Sequence, residues 1–122
     1  MSKHTITLYG IPNCDTVKKA RAWLTSHGID YRFHDFKKQG APESQIDSWL
    51  DKVGWDKLVN RQGTTWRKLE PATQIRVTDG ASARALMLEQ TSIIKRPVVE
   101  WKDDNVTVGF DAPSWALLAN KL

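Results

Sequence analysis

Residues 5–36 read TITLYGIPNCDTVKKARAWLTSHGIDYRFHDF, and this stretch decides the fold. Thr5–Tyr9 alternates and is rich in β-branched and aromatic residues, which predicts a strand. Apolar side chains then recur at spacings of three and four up to Gly28, which predicts a helix that ends at this glycine. Ile29–Phe36 predicts a second strand. Strand, helix and strand within about 30 residues form a βαβ unit, in which the two strands are parallel.

The C-terminal third of the chain has a different pattern. Pro97–Trp101 and Val106–Phe110 predict two strands, and Lys102–Asn105 between them has the composition of a turn. These three segments predict a β-hairpin. A final helix is predicted over Pro113–Leu122, because its apolar side chains recur at helical spacing.

The middle of the chain is predicted to be mostly helical. Pro42 is favourable in the first turn of a helix, and apolar residues repeat at helical spacing after it. Residues 55–78 predict short helical or irregular pieces, and a longer helix is expected to follow up to Gln90. The basic segment Lys37-Lys38-Gln39-Gly40, which precedes this region, has the composition of a turn.

The order of these elements predicts the fold class. A βαβ unit followed by two strands and a helix is the order of a thioredoxin-like α/β fold, with a mixed four-stranded sheet and flanking helices. At 122 residues the chain has the size of one domain. We therefore predict a single domain, with a thioredoxin-like core at 1–40 and 76–122 and a helical insertion at about 41–75.

Composition narrows the classes of function. No apolar run reaches the length of a membrane span, and Met1–Thr5 lacks the apolar stretch of a signal peptide, so we expect a cytoplasmic protein. A monomer is our expectation for its oligomeric state. The formal net charge is +4, but basic residues occur in pairs with acidic residues between them. This pattern favours a solvated surface of mixed charge over a nucleic-acid interface. The mild positive field favours small anionic ligands.

Cys14 is the first candidate for chemistry. It is the only cysteine, and it lies in the first turn of the first predicted helix, where backbone N–H groups and the helix dipole stabilise a thiolate. Lys18, one turn further on, adds a cation. The alternative is a buried, inert thiol. Because no second cysteine follows in a Cys-x-x-Cys motif, any disulfide formed by Cys14 must be resolved by an external thiol.

Arg96 and Pro97 are the second candidate. In a thioredoxin-like architecture, a cis proline at the start of this strand faces the active cysteine. Arg96 beside it is a bidentate donor for an oxyanion or a carboxylate, although an ordinary surface arginine is the alternative. Asn60 and Arg61 are a further candidate anion contact, with solvated surface as the alternative. One cysteine and scattered histidines do not have the spacing of metal ligands.

Four segments together resemble the arsenate reductase-like (ArsC/Spx/YffB) family of the thioredoxin-fold superfamily. They are Ile6–Cys14, Leu58–Arg61, Lys95–Val99 and the helix that starts at Pro113, and they extend over essentially the whole chain. In members that reduce arsenate, the cysteine attacks the oxyanion and arginines bind it, with glutathione and glutaredoxin recycling the enzyme. By this resemblance Cys14 is the nucleophile. The residues then expected to bind an anionic or thiol substrate are Asn13, Lys18, Asn60, Arg61, Arg96 and Pro97.

Two departures from the family pattern refine what the resemblance implies. An arginine expected in the second segment falls on Asn60, and another expected just before the final Pro-Ser is Ala112. The absence of a Cys-x-x-Cys motif departs from Spx-type regulators. The resemblance is closest to the YffB-type branch, which implies a glutathione-dependent thiol reductase with glutathione as co-substrate and no bound cofactor. The alternatives are an arsenate reductase coupled to glutathione and glutaredoxin, and an Spx-like regulator that binds RNA polymerase without catalysis.

Overall fold

The computed structural model describes residues 6–122, except for the side chain of Asp103. Thr5, where the first strand was expected to begin, lies outside the described residues, as does the rest of Met1–Thr5. The contacts divide the chain into two compact units. The sheet unit consists of the described residues up to Gln39 together with Arg96–Leu122, and the helical unit is Gly40–Lys95.

The sheet unit contains a mixed four-stranded sheet, as predicted. Its strands, in the spatial order β2-β1-β3-β4, are β1 (Ile6–Gly10), β2 (Tyr31–Asp35), β3 (Val98–Glu100) and β4 (Val106–Val108). β1 and β2 are parallel, whereas β3 is antiparallel to both β1 and β4.

The register brings four strand ends to one edge of this sheet. Gly10 at the end of β1 lies opposite Asp35 at the end of β2, and Val98 at the start of β3 lies opposite Val108 at the end of β4. We call this the Gly10 edge. The opposite edge, where β1 starts and β3 ends, is the Ile6 edge.

Eight α-helices are present in the described part of the chain. Their bounds are α1 (Asp15–Ser26), α2 (Phe36–Gln39), α3 (Glu43–Lys52), α4 (Trp55–Leu58), α5 (Thr64–Lys68), α6 (Pro71–Arg76), α7 (Gly80–Glu89) and α8 (Ala112–Ala119). The predicted first helix, the helix before Gln90 and the final helix are thus confirmed. None of the helices described over residues 6–122 has the length and hydrophobicity needed to cross a membrane.

The core of the sheet unit joins the sheet to α1 and α8. Gly10 approaches α1 so closely that a Cβ atom at this position would lie 2.8 Å from Val17 Cγ2. The close contact seats the start of α1 against the end of β1. The buried residues of this core are Ile6, Leu8, Val17, Ala20, Leu24, Val99, Trp101 and Trp115.

The helical unit is larger than the predicted insertion at about 41–75. The residues from 76 to 95 belong to it by their contacts, because α7 packs against α3. Arg84 on α7 pairs with Asp47 at 2.5 Å and with Glu43 at 3.2 Å, both on α3. An isolated antiparallel β-bridge pairs Val59 with Ile94 within the same unit.

One local expectation differs from the structure, and one aromatic side chain of α1 makes a contact at the surface. The segment that follows β2 is not a turn but the short helix α2, because Asp35 Oδ1 accepts the Lys37 N–H at 2.9 Å and the Asp35 N–H donates to Gln39 Oε1 at 3.0 Å. Trp23 lies on the apolar stripe of α1 but is only half buried, and its ring stacks on His27 with the centroids 3.8 Å apart.

Candidate active site

Cys14 is the N-cap residue of α1, at the Gly10 edge. Its backbone is extended, with φ −144° and ψ 123°, and its carbonyl accepts the Lys18 N–H at 2.9 Å. The side chain is half buried against the core of the sheet unit, and the thiol is free. A neutral thiol is a weak acceptor, and Cys14 makes no conventional side-chain capping hydrogen bond.

Opposing effects set the pKa of the Cys14 thiol. Partial burial of the sulfur disfavours the thiolate and raises the pKa. Backbone hydrogen bonding at Val17, a hydrogen bond from the Arg96 guanidinium, the positive charge of Arg96 and backbone hydrogen bonding at Thr16 favour the thiolate. These contacts outweigh burial, so the pKa of Cys14 lies below the ordinary value of a thiol. The arrangement favours the reactive, ionised form of the sulfur.

Arg96 and Pro97 begin the third strand at the same edge. The peptide bond between them is cis, as expected for this position. Pro97 is buried, and its carbonyl accepts the Gly109 N–H at 2.8 Å, whereas Arg96 is half buried. Since the Arg96 guanidinium hydrogen-bonds to the Cys14 sulfur, the fold brings together two candidates that are far apart in sequence.

Asn13 and Lys18 flank Cys14 along the chain, and both are exposed. Asn13 ends the loop between β1 and α1, and Lys18 lies one helical turn beyond the cysteine. Both side chains are therefore open to solvent in the segment that carries the thiol.

Asn60 and Arg61 lie in the loop between α4 and α5 of the helical unit. Asn60 Oδ1 accepts the Gln62 N–H at 3.1 Å, so this side chain shapes the loop. The guanidinium carbon of Arg61 lies 5.0 Å from the centroid of the Trp55 ring, in a cation–π contact. Both side chains thus have contacts with neighbours in their own unit.

Tyr9, in β1 beside Gly10, was not singled out from the sequence. Its hydroxyl donates to Glu100 Oε1 at 2.8 Å, and its ring centroid lies 5.0 Å from that of His34. Burial, together with the hydrogen bond and the negative charge of Glu100, raises the pKa of the Tyr9 phenol far above its ordinary value. Tyr9 therefore stays protonated and serves as a donor, a role that depends on a partner 91 positions away.

Two further observations bear on the chemistry of the site. Residues 6–122 contain no group of three or more His, Cys, Asp or Glu side chains arranged to hold a metal ion. Ala112, where the family pattern led us to expect an arginine, is the first residue of α8. It brings no charge to this helix N-terminus.

Comparison with known proteins gives concordant matches along the chain. A model of the ArsC family matches residues 9–117. The structure of the YFFB (PA3664) protein has a TM-score of 0.88 and 45% identity, over 93% of this chain and 98% of that chain. An arsenate reductase (ArsC) related protein from Brucella melitensis has a TM-score of 0.74 and 49% identity, over 96% of each chain. The global transcriptional regulator Spx from Streptococcus pyogenes is 23% identical, over 87% of this chain and 78% of its own length.

Proposed function

Because the chain belongs to the ArsC family and has a thioredoxin-like fold, we propose that it is a glutathione-dependent thiol reductase with Cys14 as its only nucleophile. The observation that carries this proposal is the contact between the Cys14 sulfur and the Arg96 guanidinium at the start of α1. A thiolate held by a cation and by helix N–H groups is the form that attacks a disulfide.

The reaction has two balanced steps. The Cys14 thiolate attacks the glutathione sulfur of a mixed disulfide, a new sulfur–sulfur bond forms, and the substrate sulfur leaves as a thiolate that takes a proton from water. A second glutathione, as its thiolate, then attacks the sulfur of the bound glutathione. Oxidised glutathione leaves, and the Cys14 thiolate is restored. The single cysteine makes this external second step necessary.

Arg96 has two roles in this scheme. Its charge stabilises Cys14 as the attacking thiolate and again as the leaving group of the second step. Its guanidinium is also suited to bidentate contact with a carboxylate of glutathione. Asn13 and Lys18 are assigned to the same substrate, because both are exposed beside the sulfur. The cycle consumes reduced glutathione, which is available in a reducing compartment. We therefore propose that the protein acts in the cytoplasm.

Intact mass measurement tests the proposal directly. Wild-type protein incubated with oxidised glutathione under native conditions is expected to gain one glutathione, and Cys14→Ser is expected to gain none. Catalysis is then measured as glutathione-dependent reduction of a small mixed disulfide, coupled to glutathione reductase. A Cys14 that is modified only in the unfolded chain would contradict the proposal.

Arsenate reduction is the second candidate, since a relative with 49% identity is described as arsenate reductase related. Asn60 and Ala112 stand where the family pattern led us to expect oxyanion-binding arginines, and each lost charge-assisted contact costs about 1.5–3 kcal/mol of binding. Arsenate-dependent oxidation of NADPH, in the presence of glutathione, glutaredoxin and glutathione reductase, would favour this activity over disulfide reduction.

Transcriptional regulation is the alternative suggested by the similarity to Spx. The test is a pull-down with RNA polymerase, comparing wild type with Cys14→Ser. Equal retention of both proteins would indicate binding that is independent of the thiol. We favour the reductase, because the Cys14 sulfur is paired with a cation and partly exposed at a helix start.

A further inference from the structure

Two pairs of exposed lysines lie at the Gly10 edge of the sheet unit. Lys18-Lys19 is on α1, which starts after the loop that follows β1, and Lys37-Lys38 is on α2, which starts where β2 ends. β1 and β2 are parallel neighbours, with Gly10 opposite Asp35, so both helices begin at the same edge. The two pairs are thereby brought to the edge that carries Cys14, although they are distant in sequence.

Acidic residues at this edge offset only part of the positive charge. Asp35 is buried, and its carboxylate is engaged by the Lys37 N–H. The carboxylate of Asp111 accepts hydrogen bonds from Ser114 at the start of α8. Asp15 is exposed. The charge that the described residues of this edge present to solvent is therefore predominantly positive.

The Ile6 edge of the same unit has a different character. Asp30 precedes β2, Glu100 ends β3, and Asp104 follows in the hairpin connection. Cations lie at this end as well: Arg32 is the second residue of β2, Arg21 donates to the hydroxyl of Tyr31 at 2.9 Å, Lys102 follows β3, and Lys121 follows α8. Charge at the Ile6 edge is therefore mixed, whereas both lysine pairs of the sheet unit lie at the Gly10 edge.

We propose that the Gly10 edge docks an acidic polypeptide whose disulfide is attacked by Cys14. The inference rests on the proposed thiol chemistry and adds the class of substrate. Lysines at the edge that carries the nucleophile attract a partner with Asp and Glu beside its disulfide, and they orient it before the reaction. A polypeptide fits this edge better than a nucleic acid, because the lysines share the edge with a nucleophilic sulfur and nucleic acids contain no disulfide for it to attack.

The chemical step on this partner conserves atoms and electrons. The Cys14 thiolate forms a bond to one sulfur of the partner disulfide, and the bond between the two partner sulfurs breaks. The departing sulfur leaves as a thiolate and takes a proton from water. Glutathione, as its thiolate, then attacks the partner sulfur that is bonded to Cys14. The Cys14–partner bond breaks, the Cys14 thiolate is restored, and the partner leaves as a mixed disulfide with glutathione.

Two synthetic peptides measure the preference. Both carry one cysteine joined by a disulfide to thionitrobenzoate, and they differ only in having glutamates or glutamines around that cysteine. Attack at the peptide sulfur releases the coloured thionitrobenzoate, which gives a second-order rate constant. At low ionic strength we expect wild type to react about 3- to 10-fold faster with the glutamate peptide, at the lower end of known electrostatic steering effects. The advantage should shrink as salt is added.

Two variants of equal charge provide the matched comparison. Lys37→Gln/Lys38→Gln is expected to lose most of the advantage while keeping the rate with the glutamine peptide. Lys102→Gln/Lys121→Gln, altered at the Ile6 edge, is expected to keep the advantage. Equal rates with both peptides in wild type, or equal losses in both variants, would overturn the docking proposal and leave the reductase proposal intact.

Two further experimental outcomes would lead to different conclusions. If wild type reacts with neither peptide, the reductase proposal fails, and the docking proposal fails with it. If the glutamate peptide has no advantage but duplex DNA is retained through Lys37 and Lys38, the edge is a nucleic-acid surface, and the acidic polypeptide is excluded.

Discussion

The sheet unit and the helical unit each contain an arginine that was predicted from the sequence to contact an anion. The two side chains make different contacts. Arg96 in the sheet unit hydrogen-bonds to the sulfur of Cys14, which comes from a distant part of the chain. Arg61 in the helical unit lies over the ring of Trp55, six positions away. A reactive site needs polar groups from several elements to converge on one atom, as Arg96 and the start of α1 do at Cys14. A polar side chain that contacts its sequence neighbours supports the loop instead.

Two glycines, one in each unit, are in close contact with a neighbouring side chain. Their replacement by alanine should lower the free energy of unfolding, and here we expect the largest effect. A Cβ at Gly10 would lie 2.8 Å from a methyl of the buried Val17, and one at Gly63 would lie 2.7 Å from Asn60 Nδ2. We expect Gly10→Ala to lower the free energy of unfolding by about 1–3 kcal/mol, as overpacked cores do. Gly63→Ala should cost less than about 1 kcal/mol, because the end of a half-exposed side chain can move.

Urea denaturation measures both changes. The matched control is the Val17→Ala background. There, Gly10→Ala should lower the free energy of unfolding by less than in wild type, because the methyl group that clashes is absent. Equal costs for the two glycine substitutions would show that the start of α1 is no more tightly packed than the loop after α4.

The two arginines give the next largest effect. Arg96→Gln is expected to raise the pKa of Cys14 toward the ordinary value of a thiol, because a hydrogen bond and a positive charge are lost. At a pH below this pKa the thiolate population should fall by up to about fivefold, the upper end for a solvent-screened ion pair. The pH profile of alkylation by iodoacetamide reports the pKa.

Arg61→Gln removes the same charge from the helical unit and is the control for Arg96→Gln. Its alkylation profile should match that of wild type. If both variants shift the profile equally, net charge rather than the contact with Arg96 governs the thiol, and the contrast between the two units does not hold. If wild-type Cys14 titrates at or above the ordinary pKa of a thiol, it is inert.

The smallest effect is a pH dependence of stability. The pKa of Cys14 is lower in the folded protein than in the unfolded chain, so between these two values the unfolded chain binds more protons. The contribution of Cys14 is therefore complete above the unfolded value of about 8.5 and is lost as the pH falls through the folded value. The difference in unfolding free energy between wild type and Cys14→Ser should grow with pH across this window, by less than about 1 kcal/mol.

Denaturation of both proteins at several pH values measures this difference. Arg61→Gln, compared with wild type in the same way, should show no such trend across the window. A difference between wild type and Cys14→Ser that is constant with pH would mean that folding does not stabilise the thiolate, which would weaken the reductase proposal.

Much of the sheet unit could be predicted from sequence. Period-two alternation placed β1, the apolar spacing placed α1, and the turn residues between two strands placed the hairpin. The cis proline at position 97 was expected from its place at the start of a strand in this fold. The strand, helix and hairpin patterns each act over a few residues, so they can be recognised without knowledge of the fold. The expectation of a cis proline also required the predicted thioredoxin-like fold.

The helical unit and α2 show where such patterns fail. Lys37-Lys38-Gln39-Gly40 has the composition of a turn, but two hydrogen bonds of Asp35 close it into a helix. The residues from 76 to 95 belong with the helical unit because Arg84 pairs with acidic side chains on α3. In both cases the deciding contact involves a side chain whose partner the local pattern does not reveal.

The sequence by itself determined the local elements and the position of the lone cysteine at a helix start, because periodicity, turn chemistry and helix capping are short-range. Only the tertiary structure decided that Arg96 contacts the Cys14 sulfur and that two distant lysine pairs lie at the Gly10 edge. Those juxtapositions depend on strand order and register. Strand order and register are set by burial of the whole sheet against its helices, and no single segment encodes them.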